Sequence, residues 1–195
     1  MQKNATGRQQ EIIQASLSIM AESGIQSLTI KNLANRIGFA ESAIYRHYEN
    51  KIQILLAILD FFKQHSVHFF EDQLSSTTSS SMKIELLFMN HFRKFAENPS
   101  LVAVIFSEEI FRNEIELTEK VREIMKHNLD SLQMIVVAGQ TEGELRNDVE
   151  STHLAVMLMG SLRMFVKQWH MSNNAFNLVE SGSAFVQSVI TLIKK

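Results

Sequence analysis

The chain has 195 residues, 45% of them apolar and 21% charged, with a net charge of -2 at neutral pH; this balance excludes intrinsic disorder and leaves room for one or two small domains with a real core. No apolar run approaches about 18 residues, so no membrane-spanning helix is expected, and the opening MQKNATGRQQ lacks the apolar stretch of a secretory signal. Without cysteine there is no disulfide framework, thiolate metal site or thiol nucleophile, and the cytoplasm is the default compartment.

Seven glycines and one proline, Pro99, are too little punctuation for a barrel or sandwich of short strands. An all-α chain is therefore expected. Before Gly139 no two glycines lie within ten residues of each other, so a Gly-rich phosphate loop is absent and no cofactor is expected. Residues 1–55 carry Lys3, Arg8, Lys31, Arg36, Arg46 and Lys51 against Glu11, Glu22, Glu41 and Glu49. That asymmetry is small, so nucleic-acid binding must be argued from arrangement rather than bulk charge. Aromatic residues divide more sharply: twelve of the 13 phenylalanines follow residue 56, while both tyrosines, Tyr45 and Tyr48, precede it. A core favours Phe, and a wet surface favours the tyrosine hydroxyl.

In chain order, residues 8–22 place Ile13, Leu17 and Met20 on a helical stripe, ended by Gly24 in a left-handed cap. Thr29 is the N-cap of a second helix through Ile37, with Asn32 a partial match to a capping box. Gly38-Phe39-Ala40 interrupts, a short helix follows from Glu41 to Tyr48, and Lys51 opens a long one to about Leu74. The serine- and threonine-rich run from Leu74 to Ser81 reads as a polar loop. Helical patterns resume at Met82–Glu97, Pro99–Arg112 with Asn98 as cap, Glu114–Gln140, Glu150–Met171 and Phe176–Lys194. The total is about nine helices without an internal repeat.

Two short helices joined by a Gly-containing three-residue turn form a helix-turn-helix pattern. Gly38 permits the tight turn. Ile44 and Tyr48, at i and i+4, face inward together and hold the third helix on the first two, while Tyr45 points outward and His47 lies further round. From spacing alone, two short helices with a glycine between them also fit any helical protein.

The residues in the order Ala21-Glu-Ser-Gly24, Leu28-Thr29-Ile30, Leu33-Ala34, Ile37-Gly38-Phe39, Ala40 to Tyr48 and then Lys51 resemble the N-terminal domain of the TetR family of transcriptional regulators. The resemblance covers positions 8–56 in detail. It implies a helix-turn-helix DNA-binding domain over residues 1–52 and a ligand-binding and dimerisation domain over 53–195. It implies double-stranded DNA as a partner, with Thr29, Tyr45, His47 and Lys51 on phosphates, a role that suits hydroxyl, imidazole and ammonium donors. Base reading then falls to Glu41, Ser42, Ala43 and Arg46: Arg46 for guanine, Ser42 permissive, Ala43 for a thymine methyl and Glu41 for cytosine or for repelling phosphate. The family pattern commonly has Ser or Thr where this chain has Ala40, so the base readers can slip by one position. The Lys3/Arg8 tail has two readings, a minor-groove arm or an unordered terminus.

Beyond residue 56, Phe88, Met89, Phe92, Phe106, Met125, Met164, Phe165 and Trp169 are candidates for the lining of a pocket that takes a small apolar effector. The same stripes also suit an ordinary helical core. The last two helices resemble the family's dimerisation pair. Leu154, Met157, Ser161 and Met164, then Leu178, Ser181, Phe185 and Leu192, carry a helical repeat that fits an isologous four-helix homodimer. His65, His68 and Glu71 or Asp72 share a helix face, but no closing ligand is identifiable and no metal is expected; the other histidines are scattered. Nucleophile-elbow, paired-carboxylate and HExxH patterns are absent, so no enzyme is expected. The expected function is an operator-bound repressor released by an apolar effector that selects a splayed dimer, coupled through the helix opening at Lys51. Two alternatives stand beside it: a TetR-fold protein acting mainly through a protein partner, or a helical ligand-binding protein with a vestigial helix-turn-helix.

Overall fold

The structure, a computed structural model, describes residues 7–106 and 114–195. Among them are nine α-helices: α1 (Gly7–Ser23), α2 (Ile30–Ile37), α3 (Glu41–Tyr45), α4 (Lys51–Ser75), α5 (Ser80–Glu97), α6 (Pro99–Ile105), α7 (Ile115–Thr141), α8 (Ser151–Met171) and α9 (Leu178–Ile193), with one 3-10 turn at Ile25–Ser27. The all-α expectation holds. The one extended pairing in the described residues is an isolated bridge between Leu145 and Lys194. The rest of the predicted Pro99–Arg112 helix, with Phe111, lies outside the described residues, as does Lys3. No described helix is long and apolar enough to cross a membrane.

The chain forms two compact units, Met1–Phe62 with Asn98–Val121, and Lys63–Glu97 with Arg122–Lys195. In the first, α1 buries Ile12, Ile13, Leu17, Ile19 and Met20, and Leu28, Leu33, Ala34 and Ile44 join them in the core together with Ile54, Leu55, Ile58 and Leu59 of α4. The Ser100 hydroxyl at the start of α6 donates to the Leu17 carbonyl at 3.1 Å. Pro99 occupies the first turn of α6 as expected, but Asn98 makes no side-chain cap. Gly24 has φ 77° and ψ 168°. This is the extended mirror region that glycine alone takes at ease, and not the left-handed helical cap expected.

In the second unit, α5 and α9 pack so closely that Gly182 leaves no space for a Cβ, which would lie 2.3 Å from Phe92 Cδ2. Phe92 and Phe88 are fully buried and meet edge to face at 6.0 Å. On α8, Leu154, Ala155, Leu158, Leu162, Val166 and Trp169 face the core, and the Trp169 indole N–H donates to the Phe176 carbonyl at 3.0 Å. The Asn177 side chain accepts from the Val179 and Glu180 amides, so α9 begins at Leu178, two residues later than the periodicity suggests.

The serine-rich segment differs from expectation. Ser80 and Ser81 are buried inside the first turn of α5 rather than being loop. The carboxylate of Glu144 accepts from the Ser80 amide at 2.7 Å, from the Ser81 amide at 3.0 Å and from the Ser81 hydroxyl. It thereby satisfies helix-start donors that water or a local cap would otherwise meet. Burial alone would raise the Glu144 carboxyl; the hydrogen bonds from Ser81, Ser80 and Ser79 outweigh it and hold the group below the ordinary glutamate value. Gly139 is required beside it, because a Cβ there would lie 2.6 Å from Leu145 Cγ and 2.7 Å from Ser80 Cβ. The Arg146 amide donates to the Ile193 carbonyl at 2.9 Å and the Lys195 amide to the Glu144 carbonyl at 3.1 Å.

Candidate nucleic-acid interface

The site is built on the turn between α2 and α3. Thr29 caps α2, its hydroxyl oxygen accepting from the Asn32 amide at 3.1 Å. Asn32 does not reach back to complete a capping box; its side-chain amide donates to the Ser27 carbonyl at 2.9 Å. At the far end Gly38 adopts φ 77° and ψ 31°, the left-handed conformation that closes a helix without a Cβ penalty. Ala40, in extended conformation, precedes α3 without a side-chain cap, so α3 begins at Glu41. It ends at Tyr45, earlier than expected, although the Tyr48 amide still donates to the Ile44 carbonyl at 3.0 Å.

That last bond explains why Ile44 and Tyr48 remain one turn apart and face inward, at 0% and 8% exposure. Desolvation raises the Tyr48 phenol above its ordinary value, as suits a tyrosine that serves the core. Tyr45 lies on the other side of the helix and is 51% exposed. Glu41, Ser42, Arg46, His47 and Thr29 are exposed as well, and Ala43 is half-buried. The Thr29 hydroxyl proton is not used by its capping bond, so it can be donated outward.

Lys51 is more constrained than the sequence suggests. Its ammonium donates to the Ile25 carbonyl at 2.7 Å, tying the start of α4 to the turn between α1 and α2. Partial burial lowers its pKa. An ammonium has three protons, so a phosphate oxygen can take another. Two further contacts were not legible in the sequence. Arg36 clasps Glu22 bidentately across α2 and α1, at 2.9 Å on one arm. The hydrogen bonds from Arg36 lower the Glu22 carboxyl, and those to Glu22 raise the guanidinium. The Arg8 guanidinium lies 4.8 Å from the Phe39 ring centroid, over the residue that follows Gly38. Opposite charges at the ends of α1 and α2 were the available signal for the first pair, but they become partners only once the helix crossing is known.

The structure divides the residues named for an effector pocket. Phe88 and Phe92 are fully buried and Trp169 nearly so, Met89, Phe106 and Phe165 are half-buried, and Met125 and Met164 stand 39% and 65% exposed. Phe165 stacks on Phe185 at 4.4 Å. The residues named for the dimer interface divide likewise. Leu154 and Leu178 lie inside the chain's own core, Ser161, Ser181 and Phe185 are half-buried, and Met157, Met164 and Leu192 are 61%, 65% and 70% exposed. His68 lies 3.6 Å from Glu71 on an exposed face, and among the described residues no cluster of three or more His, Asp or Glu side chains is placed to hold a metal.

Comparison with known proteins agrees with this architecture. Residues 12–58 match the model of the bacterial regulatory proteins of the tetR family, and residues 62–194 match the YsiA-like protein C-terminal region. The chain is 24% identical over 181 residues to the fatty acid metabolism regulator protein of Bacillus subtilis (strain 168), covering 93% of each. Among solved structures it is similar to the fatty acid degradation regulator FadR of Bacillus halodurans (TM-score 0.83, 24% identity, 97% of this chain and 96% of that one). It is also similar to FadR of Bacillus subtilis in complex with stearoyl-CoA (TM-score 0.78, 24% identity, 93% and 97%). The capped α2, the left-handed Gly38 and the inward Ile44 and Tyr48 form the helix-turn-helix of that first model; the chain belongs to the tetR family and is a DNA-binding transcriptional regulator.

Proposed function

We propose that the protein is a homodimeric repressor that occupies a pseudo-palindromic operator and is released by a small apolar, lipid-like effector. In this reading residues 1–52 bind DNA and residues 53–195 bind the effector and the second subunit. The observation that carries it is the sorting of side chains on α3 and the turn after it. Ile44 and Tyr48 are buried, while Tyr45, Arg46 and His47 are exposed beside the capping Thr29. Thr29, Tyr45, His47 and Lys51 take phosphates; Glu41, Ser42, Ala43 and Arg46 read bases. Exposed Met157, Met164 and Leu192 form the centre of the self-association face, and the half-buried Ser161, Ser181 and Phe185 flank it. Two recognition helices must reach successive major grooves about 34–36 Å apart, so a ligand that changes their spacing weakens binding. An apolar effector is supported by the Phe-rich interior of the second unit, where Phe70, Phe88, Phe92 and Phe95 are buried, and by the stearoyl-CoA in the FadR complex.

The test is fluorescence anisotropy on DNA from immediately upstream of the gene, across salt concentrations. Tight binding by a dimer is expected. Tyr45→Phe and His47→Ala should weaken it uniformly across sequences, each lowering the salt slope or the affinity as a phosphate contact does, whereas Arg46→Ala should relax preference at one base pair by about 1–3 kcal/mol. Equal, weak binding by wild type and variants would refute the reading.

A further inference from the structure

Arg8 reads from the sequence as part of a minor-groove arm or of an unordered terminus. In the structure it lies in the first turn of α1. The helix dipole opposes a cation there, so its charge is not placed to stabilise α1. Its guanidinium is committed in two directions. One arm donates to the Glu11 carboxylate at 2.6 Å, and the guanidinium carbon lies 4.8 Å from the centroid of the Phe39 ring, inside the range of a cation–π contact. Phe39 is half-buried, and its amide donates to the Ala34 carbonyl at 2.9 Å, which fixes its backbone on the end of α2. The segment that follows is weakly held by local means. α3 has five residues, too few to be stable alone, and Ala40 gives it no side-chain cap. Tertiary anchors must therefore set its direction. Buried Ile44 and Tyr48 anchor the end of α3 and the turn after it, whereas Glu41, Ser42 and Ala43 lie at the other end, next to Phe39.

We infer that Arg8 is a positioning residue for the recognition helix: by stacking on Phe39 it fixes the start of α3, and so sharpens base reading without itself contacting DNA. The link to base reading rests on the operator reading above, in which Glu41, Ser42 and Ala43 face bases. Two features favour a brace over a phosphate contact. The Glu11 carboxylate beside the guanidinium cancels its charge, so the pair brings little net attraction to a phosphate backbone. The planar guanidinium also suits both partners at once, offering its face to the Phe39 ring and its edge to Glu11. The brace acts where α3 lacks a cap, because the Ala43 amide, which donates to the Ala40 carbonyl at 2.9 Å, closes the first turn immediately after Phe39 and Ala40.

The test uses the full chain, with Arg8→Ala, Phe39→Leu and the double variant, each confirmed as folded by circular dichroism. Amide exchange followed by NMR on the free protein comes first. Arg8→Ala should speed exchange of the Ala43 amide about two- to fivefold, the strength of an exposed cation–π contact expressed as an equilibrium constant. The Leu33 amide, bonded to the Thr29 carbonyl at 2.9 Å in α2, should keep its wild-type rate. Anisotropy then compares a site selected by the wild type from random-sequence DNA with a scrambled one. Arg8→Ala should lower the preference for the selected site by about two- to fivefold per half-site, with affinity for scrambled DNA and the salt slope unchanged. In the Phe39→Leu background, Arg8→Ala should change neither exchange nor preference further, because the stack is already gone. An unchanged Ala43 rate, a salt slope smaller by about one per subunit, or a second full loss in the Phe39→Leu background overturns the inference. If the wild type selects no sequence, the operator reading fails, while the exchange rates, taken without DNA, still decide the brace.

Discussion

Replacing Gly182 by alanine should destabilise the second unit, against the usual effect of this substitution in a helix. Alanine is favoured over glycine by about 1 kcal/mol in a helix interior. At Gly182, however, the new Cβ would lie 2.3, 2.6 and 3.0 Å from Cδ2, Cε2 and Cγ of Phe92. That ring is fully buried and has Phe88 at 6.0 Å and Phe165 at 5.5 Å, so it cannot turn aside without moving them. Overpacking of this kind costs about 3 kcal/mol at the upper end of its ordinary range. Subtracting the propensity gain leaves a net loss of about 2 kcal/mol, or a fall in Tm of about 4–8 °C for a chain of this size. Gly160 is the control, since a Cβ there meets nothing within 4 Å; Gly160→Ala should raise the stability of the subunit by about 0.5–1 kcal/mol. Circular dichroism melts and urea titrations at several protein concentrations separate folding from association. Adding Phe92→Leu to Gly182→Ala should recover about 1 kcal/mol as a coupling term. Gly182→Ala melting at or above wild type would refute the packing argument.

Glu144→Gln should cost about 1 kcal/mol at neutral pH, the size of a lost helix cap. Because the native carboxyl is held below its ordinary value, that contribution is full above the ordinary glutamate pKa; the difference between variant and wild type in urea melts should vanish as pH falls below it. Burial pushes the His91 imidazole down, so the folded state resists its protonation. Stability should be full above the ordinary imidazole value and decline below about pH 6.5, at up to about 1.4 kcal/mol per pH unit, and His91→Phe should flatten that decline. Met164→Glu, at a position 65% exposed in the subunit, should leave subunit helicity unchanged by circular dichroism. It should shift sedimentation equilibrium toward monomer and weaken operator binding; an unchanged dimer would remove Met164 from the proposed interface.

The helix-turn-helix was legible because its determinants are local. A threonine cap, a glycine with positive φ and an i, i+4 pair of inward side chains each depend on neighbours within one or two turns, and all of them appear where the sequence places them. The second unit was less legible because α8 is apolar almost all round. Leu154, Leu158, Leu162 and Val166 form one stripe, and Met157 and Met164 belong to another. Periodicity identifies both stripes without deciding which faces inward, so Leu154 reads as an interface residue and Met164 as a residue of pocket and interface alike until the packing is seen. Lys51 illustrates a different limit. Its position marks the start of α4, but its bond to the Ile25 carbonyl spans 26 residues and follows only from the tertiary arrangement.

The capping of α5 by Glu144 bears on the order in which the chain folds. An ordinary helix start carries its cap on an adjacent residue and can form, fray and re-form by itself. Here the acceptor for the Ser80 and Ser81 amides arrives from 64 and 63 residues downstream, after α5, α6 and α7 have all been made. Locally, only the Met82 amide finds a side-chain cap, donating to Ser79 Oγ at 3.4 Å, so the first turn of α5 is completed by a long-range loop closure. Its amides should behave unlike those of other helix starts in hydrogen exchange: Ser80 and Ser81 should exchange only when the α7–α8 connection detaches, in step with the interior of the second unit, while the exposed starts of neighbouring helices exchange by fraying.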